Sequence, residues 1–209
     1  MTKRILAYVI AISILFSCNN TSPNEIDSSG PYYQFATSTE AVEKGKRDLL
    51  EIVKRKELKG ISIDSSLLVR AEAEESVNTI DISLDLLLKA DSIESMQDIV
   101  YKEKGRITPL YADDKIVTSI ITRIDSGIWT VSGFRNQFVE SDISVLRKII
   151  PAYHQSEISL YEVPGVEAHI YGFKVEGKER YYTNYQGMTF DQPVALNRLI
   201  EMLKNDVKN

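Results

Sequence analysis

The side chains in this sequence that could do chemistry are few: one thiol (Cys18), two imidazoles (His154 and His169), carboxylates at Asp113-Asp114 and at Glu72, Glu74 and Glu75, and a late cluster of aromatics. A thiol is a nucleophile or acylation site, an imidazole is a base or metal ligand, and carboxylates facing each other across a cleft cleave glycosides. The spacing argues against most of these. The histidines lie 15 residues apart on different expected elements, with no second thiol and no His-Glu-x-x-His or EF-hand loop, so a zinc or calcium set does not assemble. No Gly-x-Ser-x-Gly elbow or Ser-x-x-Lys occurs, although a triad built from distant residues around either histidine stays open. Ten glycines fall singly at turns, which gives no phosphate cradle. Asp113-Asp114 reads as a hairpin turn rather than an acid pair. The expectation is therefore no catalytic residue, no metal, no cofactor and no enzyme. For binding, the candidates are Trp129, Tyr181, Tyr182 and Tyr185, which suit half-buried strands but would also make an exposed apolar, hydrogen-bonding strip for a peptide or sugar. An open edge strand accepting an extended peptide is a further route to binding.

Cys18 stands where an apolar run ends. Met1-Thr2-Lys3-Arg4 is a positive start, Ile5 to Phe16 is almost wholly apolar, and Ser17-Cys18-Asn19-Asn20 follows. A membrane-spanning helix needs about 20 apolar residues, so this shorter run reads as an export signal. Leu15-Phe16-Ser17-Cys18 resembles the lipobox of bacterial lipoproteins, with Phe16 standing where a small or aliphatic residue is more usual. The resemblance implies removal of residues 1–17, acylation of Cys18 (palmitate among its chains) and anchoring in the cell envelope, in the outer rather than the inner membrane. Each buried methylene contributes about 0.8 kcal/mol, so two or three chains hold a protein on a bilayer almost permanently. With its one cysteine used, the chain has no disulfide and must rest on its core.

Losing residues 1–17 removes Lys3 and Arg4 and no acid, which makes an already acidic chain (net charge −5) more so. No run of five Lys or Arg occurs, and the densest basic stretch, Lys44 to Lys56, is interleaved with acids. Nucleic acid is thereby excluded as a partner, since it needs a clustered positive surface. Residues 18–37 are polar and turn-rich and read as a tether. Residues 38–209 read as an α+β domain, with 38–140 and 141–209 as possible sub-units.

Within that domain, a Thr37/Glu40 capping box predicts a helix carrying Val42, Leu49, Ile52, Val53 and Lys56 on one stripe, with Gly60 as its stop. Alternation predicts a strand over 66–73, a strand over 78–83 and helix beyond it. Ile107–Tyr111, Ile116–Ile124 and Ile128–Phe134 read as a three-stranded meander, its second loop (Asp125-Ser126-Gly127) a type I turn with a G1 bulge. On the long strand Ile116, Ile120 and Ile124 share one face, and Val117 and Ile121 the other. A helix from Ser141-Asp142 should bury Ile143, Leu146, Ile149 and Ile150 and stop at Pro151. A strand at 158–163 and a hairpin of 168–175 with 180–185 follow. A last helix, capped by Asp191, should bury Leu196, Leu199, Ile200, Leu203 and Val207. The sum is an antiparallel sheet of meander and hairpin with helices packed on one face, as one sheet or as two tandem units.

The order helix, strand, meander resembles cystatin-like and PepSY-like domains of exported bacterial proteins. The stretch from Pro109 to Val131 is similar to hairpins of uncharacterised Bacteroidota lipoproteins and of streptopain-type propeptides. The resemblance bears on the fold; taken with the lack of a catalytic constellation and the anchoring signal, it leads to the expectation of a non-catalytic envelope lipoprotein that binds a protein or peptide partner, such as an exported protease. The alternatives are a polysaccharide-binding accessory lipoprotein using Trp129 and the tyrosines, and a hydrolase with an acid or histidine centre. Cys18→Ser should abolish incorporation of a clickable palmitate analogue and free the protein from membranes. Labelling that survives the substitution would contradict the lipobox.

Overall fold

Helix α1 (Ser38–Lys54) begins where its capping box places it. Thr37 Oγ1 accepts from the Glu40 amide at 3.2 Å, and Glu40 Oε2 accepts from the Thr37 amide at 3.1 Å. The computed structural model describes residues 33–55, 57, 63–135 and 137–207. Cys18, the tether up to residue 32, Lys56 and the Gly60 stop lie outside the described residues. Among the described residues, no helix is long and apolar enough to cross a membrane.

The strand expected over 66–73 is instead a helix, α2 (Ser65–Arg70), followed by the two-residue strand β1 (Glu72–Ala73). The cause is local. The Asp64 carboxylate accepts from the Ser66 hydroxyl at 2.7 Å and amide at 2.8 Å, which holds its pKa below the ordinary carboxylate value and starts a helical turn. Leu68 and Ala71, three residues apart, are then fully buried while Val69, which alternation would place with Ala71, is 57 % exposed, a helical rather than an alternating pattern. The next pair follows expectation: strand β2 (Val77–Ile82) leads into α3 (Leu84–Lys89), capped by Ser83.

The meander is β3 (Val100–Ala112), β4 (Lys115–Asp125) and β5 (Ile128–Phe134), with β3 starting seven residues before the expected point. Both connections are two-residue turns with positive φ at Asp113 and Asp114, and at Ser126 and Gly127. That is the type I′ requirement, so the second loop is tighter than the predicted G1-bulged one. A real bulge lies within β4: Leu110 pairs with Thr118 but Tyr111 pairs with Ile116, leaving Val117 extra. It exchanges the faces of the first two residues. Ile116 joins Ile121 on one side, and Val117 joins Ile120 and Ile124 on the other.

Helix α4 (Gln137–Ile149) starts before Ser141, buries Val139, Ile143 and Leu146, and leaves Ile149 36 % exposed. Strands β6 (Glu157–Glu162), β7 (Ile170–Val175) and β8 (Lys178–Thr183) follow, the last two joined at Glu176-Gly177. Helix α5 (Leu196–Val207) starts after the position expected of an Asp191 cap. The Asp191 carboxylate accepts from Thr189, and the Val194 amide donates to the Tyr181 carbonyl at 2.8 Å, which holds the approach extended.

All the strands join one eight-stranded sheet of order β5-β4-β3-β2-β6-β7-β8, with β1 on β3. Among the described strands, only β2 and β6 pair in parallel. The sheet is the expected α+β architecture, and its helices divide between its faces. Val77, Ile107, Leu160, Tyr171 and Phe173 point to one face, where α4 covers them. On the other face α1 and α2 cover β3–β5, and α3 and α5 cover β2 and β6–β8. The expected one-sided packing thus describes four helices, and α4 is the exception.

Close strand approach explains one glycine in β3. A Cβ on Gly105 would lie 1.9 Å from the Thr122 carbonyl oxygen of β4, a backbone atom that cannot step aside. Gly105→Ala should cost about 3 kcal/mol or more in urea denaturation, at the upper end of overpacking effects, whereas Gly165→Ala, with open space around it, should cost about 1 kcal/mol. Equal losses would contradict the register of β3 on β4.

Candidate functional site

The four aromatics singled out for binding are core residues. Trp129 is 7 % exposed, Tyr181 4 %, Tyr182 6 % and Tyr185 6 %. Trp129 packs under α1, with the Arg106 guanidinium 5.0 Å from its ring centroid. Neighbours in β8, Tyr181 and Tyr182 point to opposite faces of a sheet that is buried on both, so no exposed strip forms. Instead the tyrosine hydroxyls anchor the fold. Tyr161 donates to Glu179 Oε1 at 2.6 Å, Tyr181 donates to Glu179 Oε2, which Ser95 also reaches at 3.1 Å, and Tyr185 donates to Asp206. The sheet edges are also partly covered. Phe35 and Trp129 exchange two backbone bonds of 2.9 Å at β5, and Val194 bridges to Tyr181 at β8.

The fold does gather chemistry that is scattered along the chain. Glu74 and Glu75, before β2, meet Arg147 of α4 and His154 of the short turn after it. His154 Nδ1 lies 3.0 Å from Glu75 Oε2, and Arg147 donates to Glu74 at 3.2 Å and through Nε to His154 Nε2 at 3.3 Å. With Nε2 accepting, the ring proton sits on Nδ1, facing Glu75. The ligand atoms of Glu74, Glu75 and His154 lie within 4.8 Å of one another, the spread of a metal site. The side chains do not fit one. A metal on Nδ1 would place a proton on Nε2 against the Arg147 Nε–H, and the guanidinium already supplies the cation. Arg147 also lies 4.2 Å over the Tyr111 ring. Burial raises the hydroxyl pKa of Tyr111 and, further, of Tyr153, whose hydroxyl also feels the charges of Glu75 and Glu74. Both phenols therefore stay protonated and are no nucleophiles. The group is an ion-paired corner that pins α4 to the start of β2.

A second histidine pair lies on the other flank of α4. The Asp142 carboxylate accepts from His169 Nδ1 and from the Tyr171 hydroxyl at 3.1 Å. His169 also lines an open cleft of about 750 Å³ with Phe138, Val163, Pro164, Val166 and Asn184. At its charged end Lys104 bridges Glu162 and Asp81. Burial would lower the lysine pKa, but the two carboxylates override it and raise it. An oriented imidazole can act as a general base, yet no serine among the described residues lines this cleft.

Between these groups α4 forms a ridge. Phe138 is 77 % exposed, Val145 41 % and Ile149 36 %, and their spacing of seven and four residues sets them on one helical stripe, about 110° round the helix from the buried one and beside the exposed Gln137, Ser141 and Lys148. A further open cleft of about 740 Å³ lies between α4 and the β3–β4 hairpin, lined by Tyr111, Asp114 and Lys115 of the hairpin and by Arg135, Glu140, Ser141, Arg147 and Lys148; Ser141 and Lys148 separate it from the ridge. Reading the helix from Ser141 places Phe138 in a loop and hides this stripe. Its spacing was the signal available. No family model, curated protein or solved structure matches the chain.

Burial, then the Glu179 and Asp206 carboxylates, push the Tyr181 and Tyr185 hydroxyls up to about 12 from 10.0. The folded state then holds these protons more tightly than the unfolded one, so the stability they contribute is complete below pH 10 and lost as pH rises through 12. Absorbance titration should show a late tyrosinate phase coincident with loss of circular dichroism, reduced in Tyr185→Phe. Complete tyrosine ionisation by about pH 11 with the fold intact would contradict the burial of these hydroxyls.

Proposed function

We propose that this chain is a non-catalytic binding module, held at the envelope membrane through acylated Cys18, that docks a protein or peptide partner on the exposed apolar flank of α4. The observation that carries the reading is the exposed apolar stripe of Phe138, Val145 and Ile149 on a helix whose adjacent side is locked into the core. An exposed phenylalanine has no stabilising role in the free protein. Burying one contributes roughly 1.5–3 kcal/mol, so three adjacent anchors supply the centre of an interface. Rigidity adds to this, because α4 loses little freedom on binding.

The polysaccharide reading needs an exposed aromatic platform, and Trp129 and the three tyrosines proposed for it are buried. The hydrolase reading draws on Asp142 and His169 beside a cleft, and its test is simple: His169→Ala should leave ester and peptide hydrolysis at background. With a photoreactive benzoylphenylalanine in place of Phe138, irradiation of intact cells should give a discrete protein adduct, and the same group at exposed Glu43 on α1 should give none. Val145→Asp should reduce the adduct at least tenfold. Absence of any adduct at position 138 would overturn the reading.

A further inference from the structure

The cleft between α4 and the β3–β4 hairpin, parted from the ridge by Ser141 and Lys148, differs in charge from the rest of the protein. It brings Lys115, Arg135, Arg147 and Lys148 against only Asp114 and Glu140, in a chain whose net charge is −5. Part of this charge is already engaged. Arg147 pairs with Glu74, and Glu140 accepts from the Ser119 hydroxyl at 2.8 Å. Lys115 and Lys148 are exposed and have no ion-pair partner among the described residues. Tyr111 also lines the cleft. It is 6 % exposed, with the Arg147 guanidinium 4.2 Å over its ring.

We propose that this cleft receives the carboxylates of an acidic polypeptide segment whose apolar side chains lie on Phe138, Val145 and Ile149. The proposal rests on the binding role above and names the partner's chemistry. Geometry sets the segment's length. Phe138 and Ile149 are eleven residues apart, about 16 Å along a helix, which an extended strand of about five residues spans. Carboxylates on one side of such a strand face Lys115 and Lys148, while apolar side chains on the other settle on the ridge. A long polyanion such as nucleic acid is disfavoured because the acidic surface beyond the cleft repels it. Rim lysines act mainly on association rate and partner choice, so binding should weaken with salt.

The test uses the full chain in detergent micelles and fluorescence anisotropy. The probes are a short peptide alternating glutamate with leucine, its lysine counterpart, and inorganic phosphate as competitor. The glutamate peptide should bind, the lysine peptide should not, and Lys115→Glu with Lys148→Glu should weaken binding at least tenfold with an unchanged melting curve. Phe138→Ser should weaken it separately. Displacement by phosphate at millimolar concentration would reduce the site to a free-ion site and overturn the proposal. So would failure of the glutamate peptide to bind, or equal binding by the charge-reversed protein. If those failures occur while the position-138 adduct persists in cells, the binding role stands and only the acidic partner is wrong.

Discussion

The eight strands of this sheet carry apolar side chains on both faces, so one helical layer cannot shield it from water. Two layers are needed. The larger is built from four helices arranged as two pairs, α1 with α2 over the meander and α3 with α5 over the remaining strands. The other is a single helix, α4, whose Val139, Ile143 and Leu146 press on side chains from β2, β3, β6 and β7. Because the same face runs across both halves of the chain, α4 packs against residues that precede and follow it in sequence, and the parallel pairing of β2 with β6 ties those halves together.

A helix covering a face alone has one side in the core and one in water. Its exposed side would be expected to be polar throughout, and on α4 the apolar Phe138, Val145 and Ile149 lie beside the polar Gln137, Ser141 and Lys148. The helix is also held at its flanks. Arg147 reaches Glu74 and His154, Asp142 reaches His169 and Tyr171, and Glu140 accepts from Ser119 of β4. Polar anchors of this kind fix the rotation of the helix about its axis, which in turn fixes the direction in which Phe138, Val145 and Ile149 point. The histidines, which invite a catalytic reading in isolation, serve as parts of that clamp.

Local signals made much of the fold legible in the sequence. The Thr37/Glu40 box marked the start of α1, Asp113-Asp114 and Glu176-Gly177 marked hairpins, and the β2–α3 boundary followed its alternation. Where the reading failed, a competing local bond or a long-range contact decided. Asp64 captured Ser66 and made a helix of an alternating stretch. A bulge at Val117 reversed the faces of two residues, which strict alternation cannot anticipate. Val194 bridged to Tyr181, far away in sequence, and delayed α5. The site was less legible than the fold, because Glu74, Glu75 and His154 meet only through the packing of α4, and because tyrosine enrichment looks the same for a binding strip and for a sheet buried on both sides.

Hydrogen–deuterium exchange of the full chain, compared between intact envelopes and detergent-purified protein, tests the role of α4 most directly. The account predicts slower exchange in envelopes at the β3–β4 turn and along residues 137–149, with α1 unchanged. Identical exchange along α4 in the two states, or protection confined to the opposite face, would contradict it.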